Sequence, residues 1–373
     1  MIKYIFDFGR NFNLSTAELI SYLQMKEHDF KIHKCSHEGA LISILNFNPL
    51  EASWKLGGIK RIGKVICNDH RKLKDFDLYK RPGEKLFYGV EEIGNGSTKE
   101  KIKKTLKNRF KKENLKAMYK EMNLGEIVKK NSLEIMTFGG EYIGRTICIS
   151  NPLNFQIRDM ERPNKNREIT TSIRMADIML NLAQIKENET VLDPFCGNGT
   201  ILQEAILFGS EARGLDISER RTKKTIENLG WFKEKYKIDK KYEIKCGDSK
   251  NISKYFPENS IDKIVSEPEL GPMLKELPEE WQAKDIINDL QDLYSSFFRE
   301  ASKILKKDGT IVIVLPQLRT MNDKKFKINL KKITGSSDFK ISREFKNFGI
   351  NLPLEYSERW HRLERLIYIF KRK

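Results

Sequence analysis

The chain has 373 residues, 39% of them hydrophobic, enough for two domains with sizeable cores. Lys and Arg number 69 against 52 acids, a formal charge of +17. That field attracts polyanions, and nucleic acid fits it better than an anionic membrane surface or a merely lysine-rich exterior. No apolar run reaches the roughly 20 residues of a bilayer span, and five scattered cysteines without a C-x-x-C pair fit a reducing compartment and argue against a zinc ribbon.

Asp7 comes too early for a signal peptide, so a cytoplasmic protein is expected. Ile2–Phe8 reads as a strand ended by Gly9. Ser15 and Glu18 read as a capping box opening a helix with Ala17, Leu19, Ile20 and Leu23 on its apolar stripe. Strands follow at 30–35 and 40–46, a short helix at 50–56, and strands at 59–66 and 86–93, an α+β pattern rather than a βαβ array. His33, Cys35 and His37 share one strand face. With no fourth ligand nearby, a partly exposed face is favoured over a metal site, and no metal is expected.

Residues 101–130 carry 11 cations against 3 acids, a local net of +8, while Ile102, Leu106, Phe110, Leu115 and Met118 keep an approximate helical period. The expectation is one helix with a core face and a phosphate-tracking face that includes Lys103, Lys104, Lys107, Arg109, Lys111 and Lys112. Leu133–Phe138 and Tyr142–Ser150 read as a hairpin turning at Gly139-Gly140. Periodicity then lapses, so 153–170 is read as a linker between an N-terminal region, divided at 1–70 and 71–152, and a domain at 171–373. From a helix at 172–184 onward, strands and helices alternate, which predicts a parallel, doubly wound sheet.

The strongest chemical signal is Asp193-Pro194-Phe195-Cys196-Gly197-Asn198-Gly199-Thr200, placed between a predicted strand and a predicted helix. Glycines at 197 and 199 let backbone approach a bulky ligand. Asp216 closes the next strand, where an acid accepts from a ribose diol, and Asp248 follows the third. A pyrophosphate would be repelled by an acid at the loop's first position, whereas an ammonium suits it. The loop therefore points to S-adenosylmethionine rather than a dinucleotide. Cys196, Cys246, Trp231, Phe232 and the pair Trp360-His361 are read as packing residues.

This D-P-F-C-G-x-G-T loop resembles motif I of amino-methylating class I methyltransferases. With Arg158-Asp159, Arg162-Pro163 and Gly214-Leu215-Asp216-Ile217, the chain resembles the THUMP-domain tRNA guanine-N2-methyltransferases of the position-10 guanosine type. Phe8-Gly9-Arg10-Asn11, Leu56–Gly63 and Tyr142–Thr146 extend the resemblance over nearly the whole chain. It implies a ferredoxin-like domain, a THUMP domain that grips tRNA, and a Rossmann-like catalytic domain. The cofactor set becomes Asp193, Pro194, Phe195, Cys196, Gly197, Gly199, Thr200, Asp216, Ile217, Asp248 and Ser249, with Arg145, Arg158 and Arg162 as further phosphate contacts.

The family's [D/N]-P-P-[Y/F] motif falls on Ser266-Glu267-Pro268-Glu269. In the family's chemistry the first side chain and the next carbonyl accept an exocyclic amine, and the aromatic stacks on a flipped base. Ser266 and the Glu267 carbonyl keep the acceptors, but Glu269 cannot stack. Either an acid has joined the amine's acceptors, or the site has drifted from catalysis; retained catalysis is favoured because the cofactor loop is intact. The rivals are an amino-directed DNA methyltransferase and a non-catalytic RNA-binding form. A monomer is expected, and the need for a small activating subunit stays open.

Overall fold

The structure is a computed structural model that describes residues 1–9, 11–79, 85–165, 171–335, 337–356 and 363–372. The chain forms two units, Met1–Ile157 and Arg158–Lys373.

The first unit is built on β1 (Ile2–Phe8), α1 (Phe12–Met25), β2 (Phe30–Ser36), β3 (Gly39–Ile44), α2 (Pro49–Lys55), β4 (Ile59–Cys67), β5 (Leu86–Ile93), α3 (Lys99–Lys112), β6 (Ala117–Tyr119), α4 (Leu124–Ile127), β7 (Ser132–Phe138) and β8 (Tyr142–Ile149). Its strands make one continuous sheet in the order β2-β3-β1-β4-β8-β7-β5-β6. Strands from 1–70 and from 71–152 are therefore hydrogen-bonded to one another where β4 meets β8. Gly139 and Gly140 take positive φ at the β7–β8 turn, a conformation that favours glycine.

The capping expectation for α1 is corrected. The helix opens earlier, with Asn11 Oδ1 accepting from Leu14 N at 3.1 Å. Ser15 and Glu18 lie inside it, buried. The Ser15 hydroxyl donates to Gly58 O, and the Glu18 carboxylate accepts from Gly57 N at 2.7 Å and Gly58 N at 2.8 Å. Two backbone donors thus satisfy a buried acid, and the pairing fixes the loop into β4. The single helix expected over 101–130 is also corrected. It ends at Lys112, and the chain turns into β6 and α4, leaving Met118 exposed. His33 Nε2 bonds to Ser43 Oγ and His37 sits edge-on to Phe12, which accounts for both histidines locally.

A helix α5 (Pro152–Met160) replaces the structureless linker expected from 153. The second unit continues with α6 (Ile173–Leu182), β9 (Thr190–Asp193), α7 (Thr200–Leu207), β10 (Glu211–Asp216), α8 (Glu219–Tyr236), β11 (Tyr242–Cys246), β12 (Ile261–Ser266), α9 (Glu280–Ile304), β13 (Leu305–Arg319), β14 (Lys325–Lys327), α10 (Leu330–Thr334), β15 (Phe339–Ile341), β16 (Leu354–Tyr356) and β17 (Leu363–Arg372). Its sheet runs β11-β10-β9-β12-β13-β17-β15. The first five strands are parallel, as the alternating pattern predicts. β17 is antiparallel to β13 and β15, so the sheet is mixed rather than purely parallel. α9 covers one face through Ala283, Ile287, Leu290, Tyr294, Phe297, Phe298, Ala301 and Ile304, a three-four spacing that puts all eight on one stripe. Strand order reverses between β9 and β12, so their carboxyl ends border the crevice where open α/β sheets hold ligands.

Candidate active site

The glycine loop is built at that reversal. Gly197 and Gly199 have φ of +53° and +82°. A Cβ at Gly199 would strike Thr225 Cγ2 at 2.8 Å, whereas one at Gly197 would meet only Phe195 O at 3.9 Å and otherwise project into open space. Gly199 is thus required by packing, and Gly197 leaves a cradle for a ligand. Behind the loop, Thr225 Oγ1 donates to Gly197 O and Asn228 Nδ2 to Asn198 O. Phe195 rests edge-on against Phe297, and Cys196 is buried beside Leu202 and Leu229 with its thiol pushed up by burial. Phe232 is buried, as expected of a packing residue. Cys246 is not, for it is exposed on the edge strand β11, where no neighbour covers it on one side.

Asp193 ends β9 and is only 3% exposed. Its Oδ1 accepts from Phe195 N at 3.1 Å and from the Ser266 hydroxyl at 2.6 Å. Oδ2 has no hydrogen-bond partner among the described residues. Burial pushes this carboxyl up to about 7; the neighbouring Asp216 and Glu267 carboxylates add to the rise, and the two bonds to Oδ1 oppose it. Asp216, 5% exposed at the end of β10, accepts from Gly197 N at 3.0 Å and Ser218 N at 2.9 Å. It therefore braces the glycine loop while retaining acceptor capacity. Ile217 beside it is 74% exposed, an apolar surface at the mouth. Asp248 caps the short helix at Ser249–Lys254 by accepting from Lys250 N at 2.9 Å.

After β12 the Ser-Glu-Pro-Glu segment differs from expectation. The Ser266 hydroxyl, expected to face the amine, is fully buried and donates to Asp193. Glu267 Oε2 accepts from Thr171 Oγ1 at 2.6 Å, and Oε1 accepts from Arg365 Nε at 2.5 Å. Pro268 is buried, and the Glu269 carbonyl accepts from the Tyr294 hydroxyl at 2.5 Å while the rest of Glu269 is exposed. Burial of Tyr294 raises its hydroxyl well above the ordinary value, so it stays a donor. Thr171, Tyr294 and Arg365 were not legible as site residues. Thr171 lies at the boundary after the aperiodic stretch, just before a predicted helix, Tyr294 on a core stripe and Arg365 just before a predicted strand.

Three expected phosphate contacts are corrected. Arg158 is 1% exposed and bonds to Asp177 at 3.2 Å and Glu204 at 3.0 Å. Arg162 is 2% exposed, donating to Thr200 Oγ1 at 2.7 Å and pairing with Asp159; the Thr200 hydroxyl is thereby turned to protein. Arg109 donates to the carbonyls of Leu73 and Phe76 and to Glu113. Arg158 and Arg162 are buried and Arg109 is turned to backbone carbonyls and Glu113, so none of the three presents an open guanidinium face to a phosphate. Lys104, Lys107, Lys111 and Lys112 are exposed on α3, Lys103 lies 4.1 Å over the Tyr119 ring, and Arg145 is half-buried on β8. Trp360 and His361 lie outside the described residues.

The second unit, by its strand order and glycine loop, has the class I, Rossmann-like methyltransferase fold, and residues 165–335 match the family described as "RMKL-like, methyltransferase domain". Over part of its length the chain is similar to RNA guanine-N2-methyltransferases. It is 38% identical over 138 residues to a tRNA (guanine(10)-N2)-dimethyltransferase of Methanocaldococcus jannaschii, covering 34% of this chain and 38% of that protein. To the Methanothermobacter thermautotrophicus enzyme of the same name it is 31% identical over 160 residues, or 42% and 43% of the two chains. The human U6 snRNA (guanine-N(2))-methyltransferase THUMPD2 is 31% identical over 143 residues, or 37% and 24%. These matches span less than half of each relative. Over its full length the fold is similar to the crystal structure of TrmN from Thermus thermophilus, with a TM-score of 0.57 at 13% identity and complete coverage of both chains. Among the described residues no helix is long and apolar enough to cross a membrane.

Proposed function

We propose that the chain is an S-adenosylmethionine-dependent RNA methyltransferase that methylates the exocyclic amine of guanosine, with tRNA as its substrate. The observation that carries the cofactor is the nearly buried Asp193 carboxylate, whose Oδ2 has no hydrogen-bond partner among the described residues, beside an open glycine cradle. Oδ2 is not among the buried unsatisfied atoms, so it is an acceptor open to a ligand rather than sealed in protein, and an ammonium suits it. The cofactor brings an electrophilic methyl group when bound. Asp193 holds its ammonium, Asp216 accepts from the ribose hydroxyls, Ile217 walls a flat base, and Asp248 with Ser249 closes the far side. The Glu267 carbonyl and carboxylate receive the substrate amine, the carboxylate being kept in place by Thr171 and Arg365. The substrate class follows the relatives' names, all of them RNA guanine methyltransferases, which weighs against a DNA substrate.

The purified chain, incubated with S-adenosylmethionine and unmodified tRNA transcripts, is expected to yield N2-methylguanosine, detected by mass spectrometry of digested RNA. Methylated adenine in duplex DNA would replace this reading by the DNA one. Cofactor and tRNA binding without transfer, with or without an added activating subunit, would replace it by the non-catalytic one. The first unit contributes phosphate contacts from α3. Charge reversal at Lys104, Lys107 and Lys111 is expected to weaken tRNA binding about tenfold or more at ~0.1 M salt and to flatten its salt dependence. Filter binding across a salt series reads both, and an unchanged slope would remove α3 from the interface.

A further inference from the structure

We propose that Ser266 is a positioning residue for cofactor capture: its hydroxyl is committed to Asp193 Oδ1, which leaves Asp193 Oδ2 as the oxygen that receives the cofactor's ammonium. The inference rests on the cofactor reading above and moves Ser266 from the substrate amine to the cofactor side of the site.

The geometry is local and dry. Ser266 ends β12 and Asp193 ends β9, the two strands flanking the reversal of strand order, and their side chains meet at 2.6 Å with neither group more than 3% exposed. A serine hydroxyl has one proton, and here it points at Asp193. It cannot also be given to a substrate, and a residue with no exposed surface cannot accept an amine arriving from the crevice. Phe195 N supplies the second donor to the same oxygen. Both scaffold bonds thus fall on Oδ1.

The remaining surroundings explain why such a donor is needed. Among the described residues, the titratable groups acting on Asp193 are the Asp216 carboxylate from β10, the Glu267 carboxylate after β12 and the Cys196 thiol of its own loop. Glu267 is already paired with Arg365. Burial and like charge both favour the protonated acid, and a protonated acid has no charge for an ammonium. Donation from Ser266 to the carboxylate opposes them, as the shift at Asp193 reflects. Hydrogen bonding to the ionised form is the one influence here that both fixes the carboxylate's orientation and favours its charge.

The test is isothermal calorimetry of the full chain with S-adenosylmethionine and, separately, with methylthioadenosine, which shares the adenosine but lacks the ammonium. Ser266→Ala is expected to weaken S-adenosylmethionine about tenfold near neutral pH, with much of the loss recovered about one pH unit higher. Methylthioadenosine binding should stay within about twofold, and Ser266→Thr should restore the wild-type pattern. Ser266→Cys keeps the volume, weakens the donor and should show the same pattern at smaller size; it serves if the alanine variant does not fold. Equal weakening of both ligands, or no change in either, would overturn the inference by reducing the bond to a strand-to-strand staple. A wild-type chain that binds neither ligand would instead overturn the cofactor reading itself.

Discussion

Arg158→Ala should destabilise the second unit by about 3–5 kcal/mol, because it leaves two carboxylates buried without their cation. Asp177 and Glu204 both have 0% exposure, and Arg158 bonds to Glu204 through Nε and Nη2 and to Asp177 through Nη2. Arg158 enters from α5, Asp177 from α6 and Glu204 from α7, so one guanidinium ties three helices together. Lysine offers a single point charge and cannot reproduce the fork, so Arg158→Lys should recover only part of the loss. Amide hydrogen exchange in β9 and α7 reads the effect directly. Protection equal to that of the wild type in both segments would show that the network holds nothing together.

Asp193→Asn should have opposite effects on stability and on cofactor binding. The folded carboxyl titrates at about 7, above its ordinary value of 3.8. A raised folded value means that the protonated form is the one favoured by folding. Ionisation therefore costs nothing below about pH 4, costs progressively more up to about pH 7, and costs its full amount, on the order of 4 kcal/mol, above that. Asparagine is neutral throughout and keeps an oxygen for Phe195 N and Ser266. The variant without ligand should thus be more stable than wild type by about 2–4 kcal/mol near pH 8, with the gain vanishing near pH 4. Its affinity for S-adenosylmethionine should fall about a hundredfold, as expected when a buried charge loses its partner. Chemical denaturation at the two pH values and calorimetry separate the two effects. A variant less stable than wild type at pH 8 would show that the carboxylate is not a strained group at all.

Much of the second unit was legible because its residues obey one simple rule at a time. The eight-residue loop from Asp193, the stripe on α9 and the acids ending β10 and following β11 are local patterns with local causes. The misreadings share a cause too. Arg158 and Arg162 sit in a stretch with no periodicity, so nothing local distinguished an arginine facing solvent from one folded beneath α6 and α7. Ser15 and Glu18 have the spacing of a capping box, yet Asn11 caps the helix and the two side chains reach 39 to 43 residues along the chain to Gly57 and Gly58. Ser266 looked free because its partner, Asp193, lies 73 residues away across the sheet. In each case the residue type was informative and the partner was not, since pairings of that separation are set by topology rather than by spacing.

The position of β17 carries a consequence for the order of events during folding. β15 precedes β17 in the chain, yet among the described residues it pairs in the sheet only with β17, which lies between it and β13. As the chain leaves the ribosome, β15 must wait, unpaired, for a strand that is made later. The same strand delivers Arg365 to Glu267. The parallel core and glycine loop can form first, but the Glu267–Arg365 pair closes only with that long-range step, which is slow because the entropy of loop closure comes before its contacts. Under the proposed function, cofactor-binding competence should therefore appear earlier during synthesis than methyl transfer.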